Sequence, residues 1–110
     1  MAETSSFRYE VEKSGESRAD KVTTVRCHGR LVSETSAEVK ELVKALLPEG
    51  GRIVIDLSDV SYLDSSGLGT LVGLKASAIK QGLCILEFVN MTPRVLELMR
   101  MTNLAQLLAS

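Results

Sequence analysis

The stretch Ile53-Val54-Ile55-Asp56-Leu57-Ser58-Asp59-Val60-Ser61-Tyr62-Leu63-Asp64-Ser65-Ser66-Gly67-Leu68-Gly69 decides how this chain is read. Its opening run is apolar and β-branched, the composition of a buried strand. A loop is expected next, and then a helix. Leu68, Leu71, Val72 and Ile79 recur at spacings that fall on one helix face. Asp64 stands where an N-cap belongs, because its carboxylate can accept from backbone N–H groups that lack intrahelical partners. Ser65 and Ser66 then occupy the first turn, beside the positive end of the helix dipole. A serine there is exposed, and a phosphate on it would meet free N–H groups rather than melt the helix. Taken alone, Asp-Ser-Ser-Gly at a strand-to-helix turn is simply a cap, since these residues are favoured there.

Outward from this centre the pattern is of strands and helices in alternation. Phe7 to Glu12 alternates and reads as a first strand, with Lys13 to Asp20 as a polar connection. A second strand runs from Val22 to Leu31. It has Val25, Cys27 and Leu31 on one face and Thr24, Arg26 and His28 on the other, as in a sheet covered on one side. His28 is accordingly expected on the surface. Thr35 and Glu38 have capping-box spacing ahead of a helix whose stripe is Val39, Leu42, Val43 and Leu46, and Pro48 with Gly50-Gly51 stops it. Lys40 and Lys44 lie opposite that stripe, on a solvated face. The second helix should end near Gln81, with Gly82 as a left-handed cap. Within it Gly67, Gly69 and Gly73 each cost about 1 kcal/mol relative to alanine. Either close packing against the sheet or a bare surface for a partner's backbone explains them, and for Gly67 the second is preferred. Cys84 to Val89 is a strand, and Thr92 with Pro93 opens a third helix. Val95, Leu98 and Met99 face inward in it and Asn103 closes it. Met91, Met99 and Met101 read as core filler, and Leu104 to Ala109 as a last short strand. The order β-β-α-β-α-β-α-β implies right-handed crossovers, a mostly parallel sheet and helices mainly on one face.

Size and charge narrow the function. At 110 residues the chain is one domain, with residues 1–6 frayed and 7–110 folded. A formal net charge of −1 gives no electrostatic footprint for nucleic acid, which argues against direct binding to it. No apolar run approaches the roughly 20 residues of a membrane span, so no membrane insertion is expected. The N-terminus carries no signal-peptide pattern. Cys27 and Cys84 fall in separate strands without metal-ligand spacing and read as reduced thiols. No metal or other cofactor is expected. Catalysis is poorly served: a serine nucleophile needs an oriented base, and His28 lies on another strand with no evident orienting carboxylate. Asp56 at a strand end lacks the acidic pair that a phospho-accepting aspartate uses to hold magnesium.

The wider string, Asp56-Leu57, Val60 and then Leu63-Asp64-Ser65-Ser66-Gly67-Leu68-Gly69, resembles the signature of the STAS domain. It is most similar to that of the small bacterial anti-sigma factor antagonists. The resemblance spans roughly residues 7–110 and implies an α/β fold of this order, to which STAS domains usually add a last helix. It further implies a cytoplasmic, non-enzymatic binding module. The unmodified form would bind an anti-sigma factor that is also a serine kinase, releasing a sigma factor, and phosphorylation on Ser65 would inactivate it. A serine phosphatase would reset the switch, and weak self-association is a further expectation. The implied partner-binding residues are Asp64, Ser65, Ser66, Gly67 and Gly69, with Val32, Ser33 and Glu34 from the turn before the first helix. The chain departs from the pattern at Val32, where many relatives carry an acidic residue, and Glu34 is the nearby substitute. The alternative within the same resemblance is a STAS subunit of a membrane-associated transport complex.

Overall fold

The computed structural model describes residues 7–17 and 19–101. In chain order it contains β1 (Phe7–Ser14), β2 (Val22–Leu31), α1 (Ser36–Leu46), a one-turn 3-10 helix (Leu47–Glu49), β3 (Gly51–Leu63), α2 (Ser65–Gln81), β4 (Cys84–Val89) and α3 (Pro93–Met101). The strands form one sheet in the order β1-β2-β3-β4, with β1 antiparallel to β2 and the other pairings parallel. Each parallel connection carries a helix, as the crossover rule requires. The element order is the expected one through α3. The strand expected over Leu104 to Ala109, Asn103 as a helix end and the frayed residues 1–6 all lie outside the described residues.

The core follows from register. Thr23, Ile53 and Leu86 stand side by side across the sheet, as do Val25, Ile55 and Phe88, and all six are buried on one face. Onto that face come Val39, Val43 and Leu46 of α1, Leu68, Leu71, Leu74 and Ala78 of α2, and Val95 and Met99 of α3, in one continuous cluster. Each of the valine, leucine and methionine side chains, fully buried, contributes about 1.5–3 kcal/mol. Among the described residues no helix is long and apolar enough to cross a membrane. Cys27 and Cys84 are both free thiols, and burial, with Asp56 behind it, pushes Cys27 up to about 12.

Five local expectations are corrected. First, β1 runs on through Lys13 and Ser14, which pair with Thr23 and Val22, so the polar connection starts later. Second, the loop expected after Leu57 is strand: β3 continues to Leu63. The register against β2 slips between Arg26 and His28 and again between Gly29 and Arg30, each time giving β3 an extra residue. Leu57, Val60 and Leu63 are buried at a spacing of three, which two bulges permit and a flat strand does not. Third, Thr35 sits at the N-cap of α1 without capping it. Its hydroxyl donates instead to the Arg30 carbonyl at 2.6 Å and accepts from the Val32 N–H at 3.0 Å, bracing the turn. Fourth, Ile79 is 59 % exposed, and the inner face of α2 is completed by Leu74, Lys75 and Ala78. Lys75 is buried, its ammonium donating to the Leu86 carbonyl of β4 at 2.5 Å. Fifth, Met101 is exposed and fills no core, whereas Met99 is fully buried and Met91 packs against the cluster.

The other sheet face is polar and carries a three-strand clamp. His28 on β2 lies between Asp59 of β3, at 2.6 Å from Nδ1, and Glu10 of β1, at 2.7 Å from Nε2. His28 is thus on the wet side as expected, yet held on both edges rather than free. The hydrogen bond to Asp59, then that to Glu10, raises its pKa against the opposing effects of burial and Arg8. Beside it Arg26 pairs with Glu12 at 3.0 Å, and Arg52 with Glu87 at 3.4 Å.

Candidate functional site

The ends of the parallel strands β2 and β3 meet at Leu31 and Leu63, which are register partners. Carboxyl ends of parallel strands are where open α/β sheets place their ligands, because the chain there turns outward into helices. Here Leu63 passes directly into Asp64, which adopts an extended backbone (φ −103°, ψ −175°) and caps α2. One carboxylate oxygen of Asp64 accepts from the Gly67 N–H at 2.8 Å, and the other from the Ser33 N–H at 3.4 Å. The Asp64 N–H donates in turn to the Leu31 carbonyl at 3.3 Å. One residue therefore fastens the start of α2 to the end of β2 and to the turn before α1. Asp64 thus holds the elements of the site in position.

Ser65 and Ser66 occupy the first turn of α2 and are both exposed, as are Ser33 and Glu34 on the facing turn. The Ser33 hydroxyl donates to the Glu34 carboxylate at 3.0 Å. Val32 and Gly67, both expected at the partner surface, are buried instead. Val32 has its side chain in the interior, where a carboxylate would need a partner, so the acidic group nearest the serines on this turn is Glu34. Gly67 is pressed against β2: a Cβ there would stand 2.1 Å from the Leu31 carbonyl oxygen and 2.8 Å from Leu63 Cδ1. Close packing explains it, contrary to the preference for a docking role. Gly69 and Gly73 are the opposite case, exposed and with nothing within 4 Å of an added Cβ.

Beside the serines α1 and α2 leave a groove of about 510 Å³. Ser66, Gly69 and Gly73 line it from α2, and Ser36, Lys40 and Lys44 from α1. The sequence pattern marked the two lysines only as a solvated face. That they share a groove with Ser66 depends on how α1 packs beside α2, which no local periodicity contains. The floor of bare helix backbone, the basic wall and the exposed first-turn hydroxyls together suit recognition of another molecule. His28, held by Glu10 and Asp59 on the polar sheet face, is not placed to serve these serines as a base.

Residues 14–109 match a family model described as Mlab, STAS domain. The chain is 33 % identical over 90 residues to the anti-sigma-B factor antagonist of Staphylococcus aureus, which covers 81 % of this chain and 82 % of that protein. Among solved structures, an anti-sigma factor antagonist from Mycobacterium paratuberculosis superposes with a TM-score of 0.70 at 24 % identity, over 92 % of this chain and 81 % of that one. The Bacillus antagonist SpoIIAA superposes in two forms. The unphosphorylated form gives a TM-score of 0.67 at 17 % identity, over 88 % of this chain and 84 % of that one. The phosphorylated form gives 0.64 at 15 % identity, over 88 % and 86 %. With the strand order, the Asp64-capped turn and these similarities in hand, the chain belongs to the STAS-domain family of bacterial anti-sigma factor antagonists.

Proposed function

We propose that this protein is a phosphorylation-switched antagonist. Its unmodified form binds an anti-sigma factor and so frees a sigma factor. A serine kinase, which is the anti-sigma factor itself, inactivates it by phosphorylating Ser65, and a serine phosphatase restores it. The observation that supports this most is the exposed Ser65 hydroxyl on the first turn of a helix whose cap, Asp64, is already engaged by the fold. A phosphoryl group adds about −1.5 to −2 charges beside the carboxylates of Asp64 and Glu34. A partner that packs closely over this turn would meet that charge in a desolvated place, at a cost no rim contact offsets. The helix N-terminus accommodates the same charge locally, so the fold is expected to stay as it is. That the similar fold of SpoIIAA exists in both unphosphorylated and phosphorylated forms agrees with a switch made by surface charge.

The test is the affinity of Ser65→Asp and Ser65→Ala for the cognate anti-sigma factor. Ser65→Asp should bind at least about a hundredfold more weakly, equivalent to roughly 2.7 kcal/mol. Ser65→Ala should bind normally and take up no phosphate at that position, and the circular dichroism of both should match the parent. Undiminished binding by Ser65→Asp would rule the switch out. The family model is described by Mlab and not by an antagonist, which supplies a second reading: a STAS subunit of a membrane-associated transport complex. Co-purification separates the two, since the first brings down a histidine-kinase-like ATPase and the second a transporter ATPase.

A further inference from the structure

The groove between α1 and α2 has a chemistry that the Ser65 switch leaves unused. Both helices follow strands of the parallel pair β2–β3, so they run side by side with their N-termini at the same end of the sheet. The positive ends of two helix dipoles therefore lie at one end of the groove. Lys40 and Lys44 form the α1 wall, and among the described residues no carboxylate lines the groove. Side chains on a helix lean toward its N-terminus, which aims these ammonium groups toward the end where Ser66 stands. Two carboxylates stand beside the lining residue Ser33: Glu34 accepts from its hydroxyl at 3.0 Å, and Asp64 has its oxygens turned to the N–H groups of Gly67 and Ser33.

A second and independent observation is Ser36. It opens α1, is 8 % exposed and lines the groove. Among the described residues its hydroxyl has no hydrogen-bond partner, while its backbone N–H donates to the Val32 carbonyl at 2.7 Å. A buried hydroxyl without a partner is an unfavourable arrangement that an incoming acceptor would relieve. Two cations, a donor hydroxyl in want of an acceptor and two helix starts call for an oxyanion with several acceptor oxygens.

We propose that this groove is a phosphoryl-binding site. Two sources supply that chemistry. One is a free phosphate. The other is a phosphoryl group carried on Ser66, which lines the groove where Ser65 does not. In the second case a serine kinase transfers the γ-phosphoryl of ATP: the Ser66 Oγ–P bond forms, the bond to the ADP oxygen breaks, and the hydroxyl proton passes to the kinase's base. The site is independent of whether Ser65 is a switch, and its test uses no protein partner.

The experiment compares three samples of the full chain by two-dimensional amide NMR and thermal unfolding. They are the unmodified protein titrated with inorganic phosphate, the protein carrying phosphoserine at position 66, and the protein carrying phosphoserine at position 65 as the control. Each is repeated on Lys40→Gln/Lys44→Gln, whose exposed sites leave folding intact. Binding in the groove moves the amides of Ser36, Lys40 and Lys44. For free phosphate the double replacement then weakens the apparent affinity at least tenfold. For phosphoserine 66 it abolishes a gain of a few degrees in midpoint over the phosphoserine 65 form. A lysine-dependent response in either arm supports the site and names its source. Unmoved α1 amides in both arms, or responses that survive the lysine replacements, overturn it.

Discussion

A methyl group added at Gly67 would stand 2.1 Å from the Leu31 carbonyl oxygen, whereas one added at Gly69 or Gly73 meets nothing within 4 Å. The three glycines share a helix and look alike in sequence, yet they serve different ends. At Gly67 the neighbour is backbone, which cannot swing aside as a side-chain tip can. Gly67→Ala should therefore cost about 3 kcal/mol, at the upper end of overpacking penalties, with a lowered urea midpoint as the readout. Gly69→Ala and Gly73→Ala should each raise stability by about 1 kcal/mol, because an exposed helical glycine carries that penalty with no packing return. If they stabilise the fold and weaken binding to the anti-sigma factor, the bare strip is a contact surface. If both destabilise, the strip has a structural reason that an open Cβ position does not account for. Sequence periodicity could not make this distinction, since the group that decides it, Leu31, belongs to a strand more than thirty residues earlier.

At the scale of elements, α2 and β3 show where the pattern was legible and where it failed. Start and stop of α2 were both readable, because caps are local: Asp64 accepts from Gly67 three residues on, and Gly82 ends the helix at φ 67°. The far part of β3 was not. Its buried residues Leu57, Val60 and Leu63 repeat every third position, a spacing that a strand attains only by bulging, and bulges are set by the partner strand. The α1 cap failed for a related reason, since the Thr35 hydroxyl is taken by the Arg30 carbonyl at the end of β2 and not by its own helix. Asp64 joins the legible and the hidden: the cap could be read, the second bond to Ser33 could not. Asp64→Ala should cost about 1–2 kcal/mol in chemical denaturation, the range of a lost N-cap. It should also broaden the amide signals of the turn before α1. Asp64→Asn keeps an acceptor and should recover most of the stability. A substitution to alanine that leaves the turn's signals sharp would show that the Ser33 bond does not hold it.

Among the described residues the helices gather on one side of the sheet, so the edge strand β1 is held by its ladder to β2, by Phe7 in the core and by what spans the polar face. Among the described residues β1 gives Phe7 to the core, whereas Tyr9 and Val11, which point to the same side, remain about 40 % and 39 % exposed. The clamp of Glu10, His28 and Asp59 is the connection that reaches from β1 across β2 to β3. Its pH dependence follows from the direction of each shift. His28 is raised above its ordinary 6.5, so its contribution is complete below that value and fades as pH climbs through the higher folded pKa. Glu10 is lowered beneath its ordinary 4.5, chiefly by the His28 hydrogen bond, so its contribution is complete above 4.5 and fades as pH falls through the lower folded pKa. The clamp is therefore strongest between these two ordinary values. The thermal midpoint of the parent should exceed that of His28→Gln most at about pH 5–6. The gap should narrow steadily as pH rises past 6.5 toward the folded pKa of His28, and hydrogen exchange should quicken first in β1. A gap that does not change with pH would mean the imidazole contributes shape alone, and exchange that quickens evenly across the sheet would mean β1 is held by its backbone ladder without help from the charges.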